Sequence, residues 1–166
     1  MKKIDYKKLI LYVMIPLLLG GIVGFITSSE SKNYDGIVDG WVFPVVWSIL
    51  YILMGISSYI VRDNRELMNI YKVNLIVNLL WPIIFFSFGL KVFAFFWLLL
   101  LILIVGYMIY KFYNENRTSG YLLIPYMLWL IFASILNLME IIWTIVLFFY
   151  YFLMYNTISV NEGYYG

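Results

Sequence analysis

Apolar residues run along this chain in long uninterrupted blocks, not in the alternation of a half-buried strand or the single stripe of a soluble surface helix. Five blocks stand out, residues 9–26, 41–61, 73–88, 92–110 and 121–142, and Glu140 is the one formal charge inside them. A helix that crosses a hydrocarbon core needs roughly 20 apolar residues, or about 17 at the short end. The third block reaches that length only when Tyr71 and Lys72 sit at the interface, where a lysine stem can snorkel. Because lipid offers no hydrogen-bond partners, each block is expected to be a membrane-spanning helix. A further apolar run, 143–155, follows the fifth block without a break and is too short to cross alone. It either prolongs that helix beyond the bilayer or bends to lie on the surface as an aromatic interfacial segment. The expected architecture is an all-α membrane protein. Residues 1–143 form a five-transmembrane-helix bundle, and 144–166 form an apolar, aromatic-rich extension with a polar tail.

Loops between the blocks are short, which places sequential helices side by side in a compact antiparallel bundle. No internal repeat or inverted transporter half is visible. Charge then gives the bundle a direction. Lys2, Lys3, Lys7 and Lys8 precede the first helix, Arg62, Arg65 and Lys72 follow the second, and Lys111 and Arg117 follow the fourth. The other side holds only Lys32 and Lys91, beside Glu30, Asp35 and Asp39. Nine cations against two predict a cytoplasmic N-terminus and an external C-terminus. The opening MKKIDYKK resembles the basic head of a signal peptide, but no small-x-small cleavage site follows, so the first helix is read as retained. Rich in tyrosine and lysine, without cysteine or an organelle-targeting extension, the chain is expected in a bacterial cytoplasmic membrane.

Composition removes many chemistries. Apolar residues make up 64% of the 166 and charged ones 12%, about half the share usual in soluble domains. Histidine and cysteine are both absent, which excludes thiolate and imidazole metal ligands, disulfides, thiol nucleophiles and the commonest general base. A dispersed net charge of +2 does not make a nucleic-acid surface.

Polar residues inside lipid-length blocks are the informative ones, because an unsatisfied amide or carboxyl there is costly. Asn74, Asn78 and Trp81 fall on one face of the third helix, and Trp129, Ala133, Asn137 and Glu140 on one stripe of the fifth. Trp47 and Tyr51 form a similar pair on the second. Read singly, the asparagines are interhelical glue worth about 0.6 kcal/mol each. Read together, they outline an internal pocket lined by indoles and a few hydrogen-bonding groups, suited to a flat apolar ligand. Glu140 is either ionised near the external surface or buried and neutral. Gly20 and Gly24 form a G-x-x-x-G, open to packing within the bundle or to a dimer.

Four stretches, PLLLGGIVGFIT (16–27), WVFPVVWSILYILMGISSY (41–59), NLIVNLLWPIIFF (74–86) and LLIPYMLWLIFASILN (122–137), resemble the translocator protein family, also called tryptophan-rich sensory proteins or TspO/MBR. The resemblance implies a five-helix bundle, commonly dimeric, with a pocket for porphyrins, for sterols in animal members and for synthetic aromatic ligands. It assigns Trp47, Tyr51, Asn74, Asn78, Trp81, Trp129, Ala133 and Asn137 to the ligand-binding face. The chain departs from the family in the loop SESKNYDGIVDGWVF (29–43), which lacks the proline-rich lid with its tryptophan. Asn74 stands where glutamine is common, and the animal sterol motif is not met after Asn137.

The expected function is therefore a receptor or carrier-like membrane protein that binds a tetrapyrrole such as protoporphyrin, with no required cofactor. Two alternatives stand beside it: a light-dependent porphyrin-degrading enzyme acting through tryptophan chemistry, and a membrane interaction partner that has lost its ligand.

Overall fold

The computed structural model describes residues 4–29 and 38–163, with side chains as far as residue 155. The atypical loop lies largely outside the described residues. Helices carry most of this region: α1 (Tyr6–Ile26), α2 (Val42–Ile60), α3 (Arg65–Pro82) with a π-helical turn (Ile83–Ser87), α4 (Lys91–Glu115), the short α5 (Arg117–Leu122) and α6 (Ile124–Gly163). Five spans are long and apolar enough to cross a bilayer, the last running through α5 and α6. The protein is an integral multi-pass membrane protein.

Helix starts follow local chemistry that hydropathy does not see. Asp5 caps α1 by accepting from the Lys8 backbone N–H. Asn64 caps α3 by accepting from Glu66 and Leu67. That cap lets α3 begin at Arg65, eight residues before the apolar block, so with its π-helical turn the third span reaches 23 residues. Pro44 lies in the first turn of α2, where its missing N–H is no loss. Pro82 is less benign. It cannot donate to the Asn78 carbonyl, and the ladder reopens as the wider π-helical turn, which ends at Ser87 just before Gly89 with φ +62°. The fifth block is two helices rather than one. Pro125 cannot donate to Tyr121, and the chain steps at Leu123 between α5 and α6. Beyond Trp143 helix α6 continues without a break, so the apolar run prolongs the helix instead of bending onto the surface.

Round the bundle the order is α1, α2, α6, α4, α3: α1 packs on α2 and α3, α4 packs on α3, α5 and α6, and α2 also touches α5 and α6. The strut is α4, where Ala94, Leu98, Leu101, Val105, Met108 and Phe112 recur every four and three residues and are all fully buried. Outward side chains are as apolar as the core: Phe25 is 80% and Leu103 71% exposed, as expected when lipid is the solvent. Lipid gives no hydrophobic push between helices, so close approach and hydrogen bonds hold them. A Cβ on Gly55 would lie 2.6 Å from Val13 Cα, and one on Gly20 would run into the Tyr51 ring. Both contacts seat α1 on α2. At the basic end Ser57 and Ser119 exchange hydroxyl-to-carbonyl bonds of 2.9 Å, joining α2 to α5. Lys111 and Glu66 pair at 2.9 Å between α4 and α3.

Candidate ligand site

Toward the end opposite the basic one, α1, α2 and the Pro82 turn of α3 stand apart around a cavity of about 300 Å³. Its α1 wall is Gly20, Gly21 and Gly24, with Thr27 above. At Gly21 and Gly24 an added Cβ would meet nothing within 4 Å, so missing side chains make part of the space. The mouth lies between α1 and α2, where Gly21, Gly24, Pro44 and Ser48 line the cavity and are also exposed on the outer surface.

The inner wall is aromatic. Trp81 stacks on Phe85 with centroids 5.2 Å apart, and Phe86 sets its edge against both Trp81 and Phe43, at 6.2 and 5.9 Å. Trp47 and Tyr51 stand 5.6 Å apart along α2. Among the described residues, no charged side chain lines the cavity. The hydroxyls of Thr27 and Ser48 donate to carbonyls of their own helices, Val23 and Pro44. The indole N–H of Trp81, a residue 3% exposed, finds no acceptor among the described residues. A buried donor without an acceptor is costly and uncommon, and here it belongs to a residue of an apolar cavity wall.

Behind Tyr51 lies a buried polar cluster that joins three helices. Tyr51 donates its hydroxyl to Asn78 Oδ1 at 2.9 Å, and Asn78 Nδ2 donates to the Tyr126 hydroxyl at 2.9 Å. Asn74 Nδ2 also reaches Tyr126, at 3.4 Å. The Trp47 ring rests 6.0 Å from that of Tyr126.

Among the residues the sequence selected, Trp47, Tyr51 and Trp81 come together on the cavity wall. Asn74 and Asn78 lie behind that wall, in the cluster just described. Ala133 and Asn137 face the bundle interior outside the cavity lining, and both amide atoms of Asn137 are buried without partners. Trp129 packs its ring on Phe43 and Phe132, and its N–H is likewise unpartnered. Lys91 at the start of α4 pairs with Glu140 at 3.0 Å in a partly buried bridge. Sequence reasoning missed Tyr126, the hub, although Tyr126, Ala133 and Asn137 share one helical face. It also read Gly20 and Gly24 as residues for bundle packing or a dimer and not as a cavity wall, and missed Phe43 and Phe86, which carry no polar atom to mark them.

The matched sequence pattern decides kinship: the profile of the TspO/MBR family covers residues 12–144. The chain belongs to the TspO/MBR family. Similar proteins span bacteria, archaea and animals. Protein CrtK of Rhodobacter capsulatus is 35% identical over 118 residues, covering 64% of this chain and 71% of that one. Tryptophan-rich protein TspO of Archaeoglobus fulgidus is 28% identical over 142 residues, 78% of this chain and 92% of its own. The human translocator protein is 33% identical over 107 residues, 58% and 62% of the two chains. The region shared with TspO/MBR proteins ends at residue 144, near the Lys91–Glu140 bridge, while α6 of this member runs on to Gly163.

Proposed function

We propose that this TspO/MBR protein is a membrane receptor or carrier for a flat, largely apolar metabolite of the tetrapyrrole class, bound in the cavity between α1, α2 and α3. The observation that carries the reading is the Trp81 N–H, without an acceptor among the described residues, on an aromatic wall. Such a wall takes a conjugated ring face by stacking, and the indole takes one acceptor atom at the ring's edge. At about 300 Å³ the cavity is at the small end of ligand sites. A macrocycle therefore enters edge first, leaving any carboxylates among the headgroups, where they keep their hydration. The mouth between α1 and α2 faces lipid, the phase in which such a ligand dissolves. With the N-terminus cytoplasmic, as the charge bias argues, the cavity belongs to the external leaflet.

Protoporphyrin titrated into detergent-solubilised protein, followed by its own absorption band, tests this. Saturable binding is expected, and Trp81→Phe, which keeps the ring and removes the N–H, should weaken it about three- to tenfold, the weight of one net hydrogen bond. An absorption band that shifts without saturating, or identical curves for both proteins, would overturn the assignment.

A further inference from the structure

Near the basic end, on the lipid-facing side of the bundle, α3 and α4 part around an open groove of about 480 Å³. Its walls are apolar, Ile70 and Val73 on α3 and Leu103 and Ile104 on α4. Its two polar residues, Asn69 and Tyr107, both stand at the end nearer the charged helix termini. Toward the mid-plane the exposed Ile76 and Leu80 of α3 and Leu100 of α4 continue the apolar track. From Lys72 to Leu80 that track covers about 12 Å at the ordinary helical rise. This is most of one leaflet of a hydrocarbon core ~30 Å thick.

Cations around the groove fall into two kinds. One turn outside Asn69 and Tyr107, Lys111 pairs with Glu66 at 2.9 Å and lies 5.7 Å from the Tyr107 ring. Lys8 is paired with Asp5, and Arg62 lies 4.0 Å from the centre of the Tyr59 ring while donating to the Tyr59 carbonyl. Those charges are taken. Arg65 and Lys72, by contrast, make no ion pair or side-chain hydrogen bond among the described residues. Both are exposed, and they stand four before and three after Asn69, so the three share one outward face of α3.

We infer that this groove binds an anionic glycerophospholipid of the leaflet at the basic end, with an acyl chain along Val73 and Leu103 and the phosphate between Arg65 and Lys72. The groove lies at the opposite end of the bundle from the aromatic cavity, so the inference is independent of the ligand reading. The groove faces hydrocarbon, and what fills it comes from the bilayer. Its polarity follows the order of a phospholipid: an apolar track for the chain, an amide and a phenol at the depth of the esters, then two cations at the depth of the phosphate. Asn69 Nδ2 and the Tyr107 hydroxyl supply donors for ester carbonyls, and the Arg65 guanidinium matches a phosphate's two oxygens. Because Glu66 already cancels Lys111, Arg65 and Lys72 leave the groove's head with net positive charge. Each such cation at a membrane surface favours an anionic headgroup by about fivefold. A zwitterionic headgroup brings its own cation and gains less. An acidic peptide satisfies the cations but leaves the apolar track uncovered.

Native mass spectrometry of the full chain, released from detergent with phosphatidylglycerol or with phosphatidylcholine of the same acyl chains, tests the site. One phosphatidylglycerol per chain is expected to be retained, with a preference over phosphatidylcholine of about tenfold or more. Arg65→Gln together with Lys72→Gln should remove that preference. Lys7→Gln together with Arg117→Gln, which takes the same charge from exposed positions on α1 and α5, should keep it. Val73→Phe fills the groove from a lipid-exposed position and should weaken retention severalfold without changing helicity. No preference in the wild type, or equal losses in the two double variants, would overturn the site and leave only the general attraction of a basic surface for acidic lipid. Undiminished retention in Val73→Phe would overturn it as well, since the chain would then lie elsewhere.

Discussion

Trp81, Trp129 and Asn137 each hold a buried polar group with no partner, in a medium where such groups are expensive. Tyr126 is the contrasting case, because its hydroxyl accepts from both Asn74 and Asn78 while Asn78 accepts from Tyr51. The asparagine pair is thus the interhelical glue that the sequence allowed for, with the glue centred on a tyrosine. Tyr126→Phe keeps the ring against Trp47 and strands two amide donors. It should destabilise the protein by about 1–2 kcal/mol, since buried donors left unmade cost about that much. Thermal unfolding in detergent measures it, and an unchanged midpoint would show that the cluster is worth no more than its lipid-facing alternatives.

At the scale of elements, α1 is the least embedded helix, with Pro16 as its one buried residue, yet it forms a whole wall of the cavity. It is seated by two glycine contacts, Gly55 under Val13 and Gly20 under Tyr51. Gly55→Leu should therefore push α1 off α2, lowering stability by about 1–3 kcal/mol and altering the cavity at once. A cysteine pair bridging α1 and α2 that forms equally well before and after the substitution would argue against this. Hydropathy made all five spans legible in the sequence, because lipid-length apolar blocks have few other uses. What it hid was polar or local: the charged first turns of α3 held by Asn64, the step at Leu123 forced by Pro125, and the π-helical turn after Pro82 that aims Phe86 at the site. The aromatic pair of α2 and Trp81 were legible from spacing. The glycine wall was not, since absent side chains leave no chemistry to read.

At the scale of the molecule, the charge bias and the cavity's depth make one joint statement about sidedness. Phe88, exposed beyond the π-helical turn, sits at the same end as the cavity. A cysteine placed there should react with a membrane-impermeant maleimide added outside intact cells, and one at Lys8 should not; the reverse pattern would invert the bundle and put the cavity in the inner leaflet. The central claim is that the space between α1, α2 and α3 is a ligand site. Gly24 tests it most directly, because it lines the cavity and a Cβ added there meets nothing within 4 Å. Protoporphyrin affinity should fall at least tenfold in Gly24→Phe while the unfolding midpoint stays within about a degree or two of wild type. Saturable binding of unchanged affinity in Gly24→Phe would place the ligand elsewhere and contradict the account.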